Sequence, residues 1–294
     1  MTTSTSPTVR RRRLAAELRR LRGNRTGTVV ARALGWSPAK ISRYELGHGS
    51  FPVDEVEKLL NFYGVTESRR AQLLALAEEA NQRGWWEDHV YADAITPGLR
   101  EVIGLEAEAA SMAIWEMVAV PGLLQTEEYA KEIMSLYQGV SPTPQGILEK
   151  RVQLRMERQN VLTRDRPLEL SVVLDESALL RPIGGRDVMY AQLRRLVDQA
   201  QLHNVELRVL RLGDAPPVVA GSFQIYGFSP INETGRLSDV VGAESVHDHL
   251  YVEGEADTYL HRLFFQAFTD AALSVTKSQQ LIMEIAERVY GGGR

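Results

Sequence analysis

The stretch Ser37-Pro38-Ala39-Lys40-Ile41-Ser42-Arg43 sets hydroxyls, a methyl, an ammonium and a guanidinium around one large apolar side chain. On a helix begun at Pro38, Ile41 faces inward while Ala39, Lys40, Ser42 and Arg43 fall on the outer side. That outer side suits the major groove of a DNA duplex. Arg or Lys pairs with guanine O6 and N7, Ser bonds to several base edges, and Ala leaves room for a thymine methyl. Ser37 is a good N-cap, Pro38 fits the first helical position, and Gly47 and Gly49 end the run.

The element that must hold this helix lies just upstream. Val29, Val30, Ala33 and Leu34 place apolar groups on one face of a first short helix, which Gly35 stops by tolerating positive φ. Thr26 to Gly47 therefore reads as two helices joined by a tight turn. The spacing of Ala31, Gly35, Ser37, Ile41, Glu45 and Gly47 resembles the phage-repressor-like (XRE) helix-turn-helix family. The resemblance implies that the second helix enters the groove, with Thr28, Ser37, Ala39, Lys40, Ser42 and Arg43 as DNA-binding residues. Gly27 stands where that family often carries a DNA-contacting Gln.

Charge supports the same reading. The 294 residues sum to −4, but residues 1–83 carry 15 Lys and Arg against 8 Asp and Glu, a balance of +7, and residues 84–294 carry 19 against 30, a balance of −11. A basic head attracts phosphate, and an acidic body is repelled by it. Length allows two domains and 44% hydrophobic content allows a sizeable core. The absence of cysteine excludes disulfides, thiolate zinc sites and cysteine nucleophiles. No apolar run approaches the roughly 20 residues of a membrane span, and the N-terminal segment lacks a signal-peptide core. A cytoplasmic protein with no membrane partner is expected.

In chain order, residues 1–8 read as a disordered tail and 9–83 as the helix-turn-helix domain. Its first helix, Val9 to Arg22, buries Leu14, Leu18 and Leu21. Arg10 to Arg13 precede that stripe, and Arg11 is expected to offer charge to the DNA backbone. A helix from Pro52 through Tyr63 and another from Thr66 to about Arg83 complete the head. Gly84 marks the boundary, and Trp85-Trp86 is expected to pack at the junction. A helix from Val102 to Ser111 or beyond follows. Thr126 caps a helix reaching Tyr137, and a long helix runs from Gln145 to Thr163. Strands are expected over 168–174, 205–210, 222–226, 239–244 and 250–252, with a helix over 188–202 between the first two. That order suggests one βαβ-like crossover and a partly parallel sheet. Helices over 255–272 and 276–290, the second capped by Thr276, would cover the sheet. The fold class is α+β: an all-α repressor-like head, then a mixed α/β domain over 84–294.

Trp85-Trp86-Glu87-Asp88, Val120 to Ala130, Val172 to Gly185 and Gln201 to Leu210 together resemble a large actinobacterial family. Its members are Scr-type, antitoxin-like transcriptional regulators with a long C-terminal domain of uncharacterised function. The resemblance implies a small partner protein encoded nearby; the apolar turn at Leu123 and Leu124 is a candidate contact, but burial in the domain's own core explains those residues better. Dimerisation is expected because one recognition helix reads too few bases for useful specificity.

Enzyme chemistry has two candidate places. Asp175 and Glu176 end a strand, but adjacent carboxylates there point to opposite sides and a turn explains them as well. His247-Asp248-His249, with Glu244 and Glu253 nearby, has metal-ligand residue types, yet a polar loop accounts for the same residues. The chain shows no phosphate-cradling loop, dinucleotide fingerprint or nucleophile motif. The expectation is no enzyme activity, no cofactor and no metal, with double-stranded DNA as the partner.

Overall fold

Leu14 and Leu18, a turn apart on α1 (Pro7–Arg22), are sealed inside the N-terminal core as their spacing predicts. The computed structural model describes residues 7–47, 49–82, 84–229, 239–244 and 249–291. Two units emerge, Met1–Asp88 with Arg100–Glu108 and His89–Leu99 with Ala109–Arg294.

In the first unit α1 is followed by α2 (Gly27–Leu34), α3 (Pro38–Glu45), α4 (Val53–Tyr63) and α5 (Glu67–Ala80). α1 begins at Pro7, a residue at home in a first helical turn, so Pro7 and Thr8 belong to it; residues 1–6 of the expected tail lie outside the described residues. Val30, Ala31, Ile41, Tyr44, Val56, Leu59, Leu60 and Leu73 close the core around the α1 leucines. Gly35 ends α2 at φ 68° and Gly64 ends α4 at φ 67°, a conformation that costs glycine nothing. One detail differs from expectation. Because α2 starts at Gly27, its buried phase falls on Val30 and Ala31, leaving Val29 and Ala33 outside. α5 stops at Ala80, where the Asn81 side chain accepts from Phe51 N (2.9 Å) and donates to Phe51 O (2.6 Å). Beyond it, Trp86 is buried and meets Trp85 edge-on at 5.7 Å.

α6 (Pro97–Glu108) follows, and its last residues, 100–108, belong to the first unit. The second unit is built on a sheet of β1 (Ser111–Glu116), β2 (Glu169–Asp175), β3 (Val205–Leu210), β4 (Phe223–Gly227), β5 (Val240–Glu244) and β6 (His249–Glu253), in the order β3-β2-β1-β4-β5-β6. β1, β2 and β3 are parallel, with Ile114 level with Val172 and Val172 level with Leu207; the remaining pairs are antiparallel. The α+β class and the partly parallel sheet are as expected. β1 is not: the sequence reading continued a helix through Ser111. Glu106-Ala107-Glu108-Ala109-Ala110 are helix formers that hide the change of period, and β1 is a central strand buried on both faces, so it lacks clean alternation.

The other helices are α7 (Glu127–Leu136), α8 (Gln145–Arg158), α9 (Ser177–Leu180), α10 (Arg186–Gln199), α11 (Glu255–Ala271) and α12 (Val275–Ile285). α10 is the expected crossover between the parallel strands β2 and β3. α8 ends at Arg158 and tightens into a 3-10 turn, Gln159–Leu162, rather than running on. α12 is capped by Ser274, which accepts from the Lys277 N–H, and not by Thr276. α11 covers one face of the sheet, where Trp115 stacks on Phe268 at 3.9 Å among Val173, Leu210, Phe223, Ile225 and Val241. α12 packs on β3 and α10, and Val209 N donates to Ser278 Oγ (2.9 Å).

Candidate nucleic-acid interface

Local chemistry starts both helices of the motif. Thr26 Oγ1 accepts from Val29 N (3.3 Å) at the head of α2, and Ser37 Oγ accepts from Lys40 N (3.3 Å) at the head of α3. Each hydroxyl satisfies one backbone donor that the helix itself leaves over. Ile41 and Tyr44 turn α3 inward. Tyr44 stacks on Phe51 (5.2 Å) and meets Trp36 edge-on (6.0 Å). The face turned to solvent holds Ala39, Ser42, Arg43 and Leu46, with Thr28, Val29 and Arg32 exposed on α2.

Two of the expected DNA contacts are engaged elsewhere. Lys40 Nζ lies 2.6 Å from Glu55 Oε1 and 4.2 Å from the centroid of the Trp36 ring, so its ammonium is held against α4. The Tyr44 hydroxyl donates to the same carboxylate. Burial pushes the Glu55 carboxyl upward, but the bonds from Lys40 and Tyr44 outweigh it and hold it below the ordinary range. Burial and the Glu55 carboxylate both push the Tyr44 hydroxyl far above its ordinary value. Lys40 therefore braces α3 against α4. Nothing in the sequence connects residues 40 and 55, because the pairing arises from tertiary packing.

Arg11 is engaged in the same way. Its Nε donates to Ala80 O at 2.9 Å, satisfying a carbonyl at the C-terminal end of α5. Its neighbours are also turned inward: Arg12 Nε donates to Glu101 (2.8 Å), and Arg10 pairs with Glu79 (3.4 Å). Arg13 is half-buried near Glu108, and desolvation pulls its pKa down. The arginine run fastens α1 to its surroundings. Two further ties matter for α3: Arg22 Nε meets Glu45 Oε1 (2.6 Å), and Arg19 donates to Glu45 O (2.7 Å), fixing its C-terminal end to α1. Arg43 remains exposed, its guanidinium 5.7 Å from the Tyr44 ring centroid.

In the second unit several of the residues singled out in the sequence hold structural positions. Leu123 and Leu124 are fully buried, so their side chains belong to the core, as the second of the two expectations has it, and are not a partner contact. A polar clamp holds their turn. Gln192, itself buried, accepts from Thr126 N (2.7 Å) and donates to Leu124 O (2.8 Å). Gln159 donates to Gly122 O (3.1 Å) and Gln125 O (2.8 Å), and Gln125 donates to Val120 O (2.7 Å). At the neighbouring strand end, Asp175 accepts from Ser177 N (2.9 Å) and Glu176 from Leu212 N (2.9 Å). These carboxylates cap turns. His247 and Asp248 lie outside the described residues, as does the side chain of His249. Among the described residues no group of three His, Asp or Glu side chains is placed to hold a metal, and no helix is long and apolar enough to cross a membrane.

Comparison with known proteins gives two matches. Residues 13–73 match a family model described as a helix-turn-helix domain, and residues 99–284 match one described as a domain of unknown function (DUF5753). No curated protein and no solved structure matches the chain.

Proposed function

The chain belongs to the DUF5753 family and carries a helix-turn-helix domain ahead of that region, and from this premise we propose that it is a sequence-specific, antitoxin-like transcriptional regulator. The observation that carries the reading is the division of labour on α3. Lys40, Tyr44 and Glu45 are tied into the head, while Ala39, Ser42 and Arg43 stay in solvent. A rigid helix with a small, polar and basic outer face fits the donor and acceptor pattern of the major groove. Arg43 supplies the bidentate contact to guanine, Ser42 a bond to an adjacent base edge, and Ala39 room for a thymine methyl. Ser37 and Thr28, exposed near the starts of α3 and α2, reach the phosphates.

The protein acts as a homodimer on two half-sites, because a single α3 reads too few base pairs. The second unit receives the signal, either a small ligand or a small protein encoded nearby, and its −11 balance over residues 84–294 keeps it off the duplex. It regulates rather than catalyses. Selection of bound sequences from a random duplex library with the full chain tests this. A two-part, inverted site is expected; enrichment of no sequence would overturn the reading.

A further inference from the structure

α11 has two apolar faces where covering a sheet needs one. The inner face carries Phe268 and the buried Thr258 against the sheet. The outer face carries Ala256, Leu260, Leu263 and Ala267, at spacings of four, three and four residues, with Tyr259 beside Leu263 across one turn. Leu260 and Leu263 are each 47% exposed and Tyr259 is 60% exposed; Leu250, on the edge strand β6 that α11 packs against, is 62% exposed.

We propose that this face is the two-fold contact between two copies of the chain, with α11 crossing its counterpart antiparallel about a point between His261 and Arg262. The order Ala-Leu-Leu-Ala reads the same in both directions. An antiparallel pairing therefore sets Leu260 against Leu263 of the second copy and Ala256 against Ala267, which is the self-complementarity that an isologous interface requires. The small alanines at both ends allow the helices to approach closely while the leucines interdigitate at the centre. Near the axis the Arg262 cation is already paired with Asp239.

The area is also right. Four large side chains exposed by about half present roughly 400 Å² of apolar surface, the size at which a patch on a monomer marks an interaction site. A standard interface needs roughly 800 Å² per partner, a little over half of it apolar. This inference rests on the proposed reading of two half-sites, and it supplies the surface that joins the readers.

The test uses the full chain. Sedimentation should show a dimer for the unaltered protein and a monomer for Leu260→Asp/Leu263→Asp, with an unchanged circular dichroism spectrum and at least tenfold weaker binding to a two-part site. Leu136→Asp/Tyr137→Asp, the same change at another exposed apolar spot, should remain dimeric. Since the chain has no cysteine, contact can also be read as a gain: a short thiol cross-linker should join two copies of Leu263→Cys and fail to join Leu136→Cys. That variant decides the matter if the aspartates prevent folding. A dimer that survives the aspartates, or that gives no cross-link at 263, overturns the surface and leaves the dimeric regulator standing. A monomer that holds a single half-site at full affinity overturns the regulator reading and the surface with it.

Discussion

The head around α3 and the turn at residues 120–126 both set polar side chains beside apolar ones, and they use them in opposite ways. Around the turn, Gln125, Gln159 and Gln192 spend their amides on neighbouring groups, and Leu123 and Leu124 are core. On α3, the inner groups are spent likewise on Glu55 and Arg22, but Ala39, Ser42 and Arg43 are left in water. Residue type suggested chemistry in both places. What separates a reader from a brace is whether the fold has already claimed the donor.

The sharpest way to probe that contrast is to break the clamp. Gln192→Leu removes both bonds of a buried amide and orphans Thr126 N and Leu124 O, so the second unit should lose about 3 kcal/mol of stability, read by chemical denaturation. An unchanged midpoint would mean that the turn is held by apolar packing alone. A smaller effect is expected at the brace of the head. Lys40→Met should cost about 1 kcal/mol of stability and weaken all duplexes modestly without changing base preference. A lost preference at one base position would make Lys40 a reader after all. Smaller again, Arg11→Ala should cost under about 1 kcal/mol, because the Ala80 carbonyl it serves can turn to water. Its salt dependence of DNA binding should match the unaltered chain, whereas a slope reduced by one would restore Arg11 to the phosphates.

The least of these effects is a pH dependence. Glu17, bonded to Arg20 and Arg69, and Glu55, bonded to Lys40 and Tyr44, both sit below the ordinary carboxylate range although burial alone would raise them. A carboxyl depressed in the folded state binds its proton less tightly there than in the unfolded chain. Its contribution is therefore complete above the unfolded value of about 4.3 and is lost as pH falls below that through the folded value. Acid titration of the head should show that loss, and Glu55→Gln should reduce it.

The helix-turn-helix was legible because its signals are local: Ser37 before Pro38, glycine at 35, and an inward Ile41 between polar neighbours. The sheet was legible where strands alternate or are bounded by turns. β1 was hidden because alanines and glutamates run up to it and both its faces are covered. The functions of Lys40 and Arg11 were hidden for a different reason. Their partners, Glu55 and Ala80, are 15 and 69 residues away, and periodicity carries no record of such pairings. The same applies to the turn at Leu123 and Leu124, whose clamp comes from Gln159 and Gln192.

One measurement bears most directly on the claim that α3 reads bases through its outer face. Arg43→Ala is titrated on the selected site, on its single-base variants and on random duplex at several salt concentrations. The account predicts a loss of about 1–3 kcal/mol on the selected site, with discrimination flattened at one base position and the other positions still distinguished. Equal losses on every duplex would place Arg43 on the phosphate backbone and contradict it.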